Sequence, residues 1–309
     1  VYSQRLSPRV GAEWCMATQG AKQALFNALA TAADPGDRVI LLAPYWVSYV
    51  EQCHALGLEP VVVPCPPETG YRPDLEALEK ALPTARVVLL NFPCNPTGAA
   101  LDRAEMEAVC RRIEASGALL ISDEIYEDIV YREEGHVSPL HVAPELADRT
   151  CVVTGLSKGF AMTGWRVGFS IAPPAWTSAM ARLQGHATSH IAALCQQAAV
   201  AALQHRELVA PLREVFAARR ERVLARAQDL PGVRVHPPEG TFYLFLDVAR
   251  ILDGLTDTEL AARLLEEQNL GLVPGTAFGA PGHLRLSFAA SEKVLDESFD
   301  RLRGYLDAL

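Results

Sequence analysis

The sequence predicts an α/β fold, a mostly parallel sheet flanked by helices, followed by a smaller α+β domain at the C-terminus. Three observations carry this. Between Arg38 and Ala172, short runs rich in Val, Ile and Leu alternate with helical patterns, as strand–helix–strand units do. Those runs are continuous in apolar character, as expected of strands covered on both faces. From Ala175 the pattern changes to longer helical stretches with a few short strands between them.

Taken in order, residues 1–16 read as irregular, consistent with the end of a preceding helix. Over 17–33, Leu25, Leu29 and Ala32 share one face, an amphipathic helix. RVILLA (38–43) is a buried strand, and PYWVSYVEQCHALG (44–57) turns into a helix that stops at Gly57. EPVVVP (59–64) is the next strand. Asp74 is suited to cap a short helix, because its carboxylate can accept from first-turn amides. ARVVLLNF (85–92) is a third strand, NPTG (95–98) a turn, and a helix then runs to about Ser116. ALLISDE (118–124), RTCVVTG (149–155) and RVGFSIA (166–172) complete six strands. Helices follow over 175–184, 190–204 and about 206–229. Strands at 231–235, 241–248, 269–275 and 283–289 come next, with a helix at 257–268 and a closing one from Ser291. This division places a large domain at 15–205 and a small one at 206–309.

Composition narrows the function classes. Half of the 309 residues are hydrophobic, ample for two cores. A net charge of −9 argues against nucleic acid or an anionic membrane surface as partner. Seven cysteines (Cys15, Cys53, Cys65, Cys94, Cys110, Cys151, Cys195) are scattered without a CxxC pair. That usage predicts reduced thiols in a cytoplasmic protein. No apolar run is long enough for a membrane span. His186 and His190 lie four apart, but no Cys or carboxylate completes a ligand set, so no metal is expected.

Candidate chemistry gathers after the strands. Asn95, Asp123 and Lys158 each follow a predicted strand, and open α/β sheets bind ligands at those ends. Lys158 sits in TGLSKGFAMTGWRVG (154–168), where Gly155, Ser157 and Gly159 permit close backbone approach. Arg166 in the same stretch is suited to grip an anion through its planar guanidinium. In isolation each has a plainer reading: a surface lysine, an ion-pairing arginine, an aspartate capping a helix.

Six motifs occur in order: GAK (20–22), PYW (44–46), NFPCNPTG (91–98), SDEIYE (122–127), GLSKGFAMTGWRVG (155–168) and LRLSFA (284–289). Together they resemble the fold-type-I pyridoxal-phosphate class I aminotransferases, over nearly the whole chain from about Ala17. The resemblance is closest to the bacterial and archaeal branch with aspartate and aspartate/prephenate aminotransferases. It implies a seven-stranded-type sheet in the large domain and pyridoxal 5′-phosphate as cofactor. Lys158 matches the Schiff-base lysine that also shuttles the α-proton, and Asp123 the partner of the pyridine nitrogen. Tyr126 and Asn95 match the residues that hydrogen-bond the cofactor's 3′-oxygen; Asn95 also touches the substrate carboxylate. Trp46 matches the ring stacked on the pyridine, beside the substrate. Gly20, Ala21 and Lys22 open a helix whose amides suit a phosphate, with Arg166 and Ser157 as further phosphate ligands. Gly155 stands where many relatives have a serine, which removes one expected contact. Arg285 matches the arginine that binds the substrate α-carboxylate. Lys22 matches a lysine that reaches the distal carboxylate in the aspartate-specific branch; by itself it reads equally as an exposed first-turn lysine. Tyr243 and Phe245 are assigned to packing.

The implied reaction moves the amino group of aspartate to 2-oxoglutarate in two half-reactions through pyridoxamine phosphate. Prephenate, aromatic or kynurenine, and alanine aminotransferases are alternatives within the same chemistry. A lyase on the same scaffold needs no keto-acid acceptor. A transcription regulator's domain of this architecture belongs behind a DNA-binding head, and the sequence has neither such a head nor a basic patch. The resemblance also implies a homodimer, and an N-terminal segment of which residues 1–14 are the remnant.

Overall fold

The computed structural model describes residues 5–6 and 10–308. A seven-stranded sheet contains β1 (Cys15–Thr18), β2 (Arg38–Ala43), β3 (Glu59–Pro64), β4 (Ala85–Asn91), β5 (Leu119–Asp123), β6 (Thr150–Gly155) and β7 (Gly168–Ile171). Its spatial order is β1-β7-β6-β5-β4-β2-β3. Strands β2 to β6 pair in parallel, whereas β7 runs antiparallel to both β6 and β1. The expected six strands are all present, with ends trimmed by a residue or two.

The seventh, β1, lies where residues 1–16 read as irregular. It is an edge strand with one buried residue, Thr18, so it lacks the continuous apolar run that marks a strand covered on both faces. The following helix, α1 (Ala21–Ala32), therefore starts later than residue 17, after Gly20 at φ 81°. Of the expected remnant at 1–14, residues 1–4 and 7–9 lie outside the described residues; Ala12–Trp14 form a 3-10 turn with Trp14 buried.

Why the central strands are apolar throughout follows from their two covered faces. Ile40, Val88, Leu90 and Leu120 pack with Met106, Val109 and Ile113 on one side. Val39, Leu41, Val87, Leu89 and Ile121 pack with Ala24, Leu25, Ala28 and Leu29 on the other. The flanking helices are α1, α2 (Ser48–Ala55), α3 (Leu75–Ala81), α4 (Arg103–Ser116), α5 (Pro139–Val142), α6 (Pro174–Ala187) and α7 (Ala193–Gln204). Asp74 caps α3 as its sequence position predicts, accepting from the amides of Glu76 and Ala77. Helix α4 opens with a capping box, Asp102 and Glu105, and ends at left-handed Gly117.

A second, four-stranded antiparallel sheet has the order β10-β11-β9-β8. Its strands are β8 (Arg234–Val235), β9 (Tyr243–Asp247), β10 (Val273–Pro274) and β11 (His283–Ser287). Helices α8 (Val209–Gln228), α9 (Asp257–Gln268) and α10 (Glu292–Leu306) complete the chain. Phe216, Val223, Leu244, Leu246, Leu264, Leu286 and Phe299 form the core beneath this sheet.

Among the described residues, no helix is long and apolar enough to cross a membrane. No group of three or more His, Cys, Asp or Glu could hold a metal ion among them.

Candidate active site

The parallel strands deliver Asn91, Asp123 and Gly155 to one edge of the large sheet, at the C-terminal ends of β4, β5 and β6. A cavity of about 270 Å³ opens there. Its lining includes Ala21, Lys22, Trp46, Asn95, Asp123, Tyr126, Ser157, Lys158, Arg166 and Arg285. Every side chain singled out from the sequence therefore reaches one cavity, and Gly20 closes its rim against Arg166.

Asp123 is buried. The Tyr49 hydroxyl donates to its Oδ2 at 2.7 Å, and the Ile125 amide donates to its Oδ1 at 3.2 Å. Burial pushes its pKa up to about 6, against the pull of those two donors. Removing a carboxylate from water disfavours its charged form, and a cation placed beside it would restore that form. Asn91 fastens two neighbours: its Nδ2 donates to the Asp123 carbonyl at 3.0 Å, and its Oδ1 accepts from the Asn95 amide at 3.0 Å.

Lys158 is half-buried. Its Nζ lies 5.8 Å from the Tyr126 ring centre and 5.5 Å from that of Phe242. Burial lowers its pKa, and the positive charges of Arg285 and Arg166 add to that; Asp123 opposes them. A lysine with a depressed pKa presents more neutral amine at a given pH, the form that attacks a carbonyl or accepts a proton. The loop around it is closed by hydrogen bonds from the Met162 amide to the Leu156 carbonyl at 3.2 Å and from the Thr163 hydroxyl to the Ser157 carbonyl at 3.0 Å.

At one end of the cavity, Arg166 is held over the start of α1. Its guanidinium donates to the Thr163 carbonyl at 3.1 Å and to the Gln19 carbonyl at 3.3 Å. A Cβ on Gly168 would come within 2.4 Å of the Ala21 nitrogen, and one on Gly20 within 2.3 Å of Arg166 Nη2. Glycine at both places lets the GAK and GWRVG motifs meet. The result is a helix N-terminus, a guanidinium and a buried serine around one space, an arrangement suited to an anion.

At the other end, Arg285 projects from β11. Its Nη1 donates to Asn95 Oδ1 at 2.6 Å, and its Cζ lies 4.3 Å from the Tyr243 ring centre and 4.8 Å from that of Phe278. Its Nε is buried without a hydrogen-bond partner, a donor left to be satisfied. Lys22 is exposed, with Nζ 4.9 Å from the Trp46 ring centre.

Five further lining residues escape the sequence reading: Tyr49, Asn91, Ile125, Thr163 and Tyr243. Tyr49 and Asn91 support Asp123 from other elements. Tyr243, which the sequence assigns to packing, lines the cavity, and its hydroxyl lies 3.0 Å from that of Tyr126. A partial signal exists for the first two, since Tyr49 follows PYW by three residues and Asn91 begins NFPCN. Phe245 is buried in the core, as expected.

A mostly parallel sheet that sets a lysine, a buried carboxylate and an arginine around one cavity at its edge, with a second arginine reaching in from a small antiparallel sheet, has the architecture of a transaminase. The sequence makes this specific. Residues 10–302 match the aminotransferase class I and II family, and the chain belongs to that family. It is 42% identical to an aspartate aminotransferase of Streptomyces avermitilis over 307 residues, covering 96% of this chain and 75% of the relative. An aspartate/prephenate aminotransferase of Thermus thermophilus is 40% identical over 95% of this chain and 76% of its own. The crystal structure of an aspartate aminotransferase from Rhizobium meliloti superposes with a TM-score of 0.93 at 37% identity, covering 99% of this chain and 79% of that one.

Proposed function

We propose that this aminotransferase uses pyridoxal 5′-phosphate to move the amino group of aspartate to 2-oxoglutarate. The carrying observation is the convergence of Lys158, Asp123, Asn95 and Arg285 on one cavity, with an anion-suited helix N-terminus at its far end. Three features support the cofactor. Asp123 is a buried, hydrogen-bonded carboxylate whose charged form burial disfavours, one that a protonated ring nitrogen would complete. The α1 N-terminus with Arg166 and Ser157 suits a phosphate. Lys158 lines the same cavity, its pKa lowered chiefly by burial.

Bound there, pyridoxal phosphate would supply an electron sink for the carbon that loses its proton. The chain's own residues do the rest. Asp123 holds the ring nitrogen's proton, fixed by Tyr49 and the Ile125 amide. Asn95 accepts from Arg285 at its Oδ1, which would leave its Nδ2 hydrogens for a cofactor oxygen, alongside the Tyr126 hydroxyl. Trp46 would stack on the ring. Arg285, whose guanidinium lines the cavity, would bind the substrate α-carboxylate. Lys22 meets the distal carboxylate across Trp46. Lys158 Nζ would take the substrate's α-proton and deliver it to C4′ of the cofactor, on the far side of the amino nitrogen.

A donor and acceptor panel tests the substrate. Aspartate with 2-oxoglutarate is expected to give the highest turnover. Kynurenine or alanine outrunning aspartate as donor, or prephenate outrunning 2-oxoglutarate as acceptor, would overturn that assignment. Replacing Lys158 with Ala is expected to abolish borohydride-reducible cofactor attachment; retained attachment would sink the role of Lys158.

A homodimer is part of this reading. It is supported by apolar side chains on the surface of α7 and around the Lys158 loop: Leu194 is 74% exposed, Val200 50% and Trp165 43%. Large apolar side chains exposed in this way point to a protein partner. A cytoplasmic setting is supported by seven cysteines that are all unpaired.

A further inference from the structure

Tyr243 comes from the small sheet yet touches both ends of the catalytic chemistry. It opens β9, opposite Ser287 of β11, and its amide donates to the Thr241 hydroxyl at 3.2 Å. Its hydroxyl is 3.0 Å from the Tyr126 hydroxyl, and the two rings meet edge to face, centres 5.9 Å apart at 76°. On the other side, the Arg285 guanidinium carbon stands 4.3 Å from its ring centre. Phe242 wedges beside both tyrosines, with ring centres at 4.8 Å and 5.6 Å.

Two hydroxyls 3.0 Å apart share one proton between them, so only one of them donates across the gap. If Tyr126 donated to Tyr243, its proton would be spent there and unavailable to the cavity. If Tyr243 donates, Tyr126 keeps its proton for an acceptor in the cavity, and the bond it accepts strengthens the one it gives. The ring has a separate task. A guanidinium stacked on an aromatic face keeps its plane fixed while its N–H edge stays free.

We propose that Tyr243 is a positioning residue of the transamination site: its hydroxyl directs the Tyr126 proton into the cavity, and its ring holds Arg285 flat for a carboxylate. This rests on the proposed placement of pyridoxal phosphate, with its phenolic oxygen toward Tyr126. The two tasks separate by substitution. Tyr243→Phe removes the hydroxyl and keeps the ring. Tyr243→Leu removes both.

The test is spectroscopic. The absorbance of bound pyridoxal phosphate is titrated with pH in wild type, Tyr243→Phe, Tyr126→Phe and the double variant, and succinate affinity is measured by spectral titration. A weaker donor to the phenolic oxygen leaves more negative charge there, which holds the neighbouring cofactor proton more tightly. The absorbance midpoint of Tyr243→Phe is therefore expected to rise by roughly half to one pH unit, the size of one neutral hydrogen bond. In the Tyr126→Phe background the same change should move it no further. Succinate affinity should stay within about twofold in Tyr243→Phe and fall about tenfold in Tyr243→Leu, a stacking contribution of the usual size. An unchanged midpoint in Tyr243→Phe, or an equal shift in both backgrounds, overturns the hydroxyl's role. Undiminished succinate binding in folded Tyr243→Leu overturns the ring's. A wild-type chain that takes up no pyridoxal phosphate would instead refute the cofactor reading, and this inference with it.

Discussion

At the scale of single residues, burial sets the chemistry and supplies the predictions. Asp123 titrates near pH 6 because it is out of water, with Tyr49 and the Ile125 amide pulling the other way. Asp123→Asn keeps the shape but cannot hold a ring-nitrogen proton by charge. Its transamination rate is expected to fall on the order of 10²-fold or more with the far-UV spectrum unchanged; a near-normal rate would contradict the proposed role. The next residue, Glu124, is fully buried. It accepts from Ser122, Ser138 and His136, at 2.9, 2.8 and 2.8 Å. Burial raises its pKa, but His136 and the serine donors outweigh that and leave it lowered. Burial likewise lowers the His136 value, and Glu124 reverses this, leaving it raised. The signs define a window. The glutamate's contribution is present above its ordinary pKa of about 4.3 and is lost as pH falls through its depressed folded value. The histidine's is complete below about 6.5 and is lost as pH rises through its elevated folded value. His136→Gln leaves Glu124 buried without a cation and should cost about 3 kcal/mol near pH 5.5, and less above the His136 folded value, in urea unfolding. An equal loss at pH 5.5 and pH 9 would exclude the charge pair as the cause. The meeting of Lys158, Asp123, Asn95, Arg166 and Arg285 in one cavity was legible in the sequence, because each sits in a motif whose proposed chemistry calls for that residue type. Tyr49 and Tyr243 were not, since their contacts join positions 74 and 117 residues apart. Tyr49 carries only a faint local hint, its place three residues after PYW, and nothing local marks Tyr243.

At the scale of elements, legibility followed how many faces a strand buries. Strands β2 and β4 to β6 are covered on both sides and read as unbroken apolar runs. β1 was invisible because Thr18 is its one buried residue. That edge strand is still important to the site, since it pairs with β7 in a register setting Thr18 opposite Gly168. The same glycine meets the backbone of Gly20 and Ala21, where α1 begins. Gly168→Ala would drive a Cβ to within 2.4 Å of that backbone, and no flexible side chain is there to yield. The helix start must shift away from β7, taking the anion-suited amides with it. We expect a stability loss of about 1–3 kcal/mol by thermal unfolding, as overpacking usually costs, and a weakened hold on pyridoxal phosphate in equilibrium dialysis. Full cofactor retention with lowered stability would show that the cradle does not depend on this contact.

At the scale of the whole molecule, the proposed boundary near residue 205 does not divide the chemistry. Arg285 and Tyr243 reach the cavity from the small sheet, and Phe245 and Phe278 join a core shared with β2 and β4. The alternation of strands and helices made two units readable, while their shared core was not readable, because a pattern along the chain carries no information about which faces meet. The same limit applies between molecules. Helix α7 is apolar along most of its length, yet Leu194 and Val200 face outward. Its inner face, with Ala199 and Cys195, packs on Leu156, Phe160 and Met162 of the Lys158 loop. A second copy of the chain covering the outer face would therefore brace the loop that carries the lysine. Sedimentation of the wild type is expected to give twice the 33.5 kDa chain mass. The double substitution Leu194→Asp, Val200→Asp places two charges on that face, where desolvating them is costly, and should give the single-chain mass. If the bracing argument holds, the monomer should also show faster hydrogen exchange across residues 156–166 than the dimer does. A variant that remains dimeric, or a monomer with unchanged exchange in that loop, would separate α7 from the assembly or from the site.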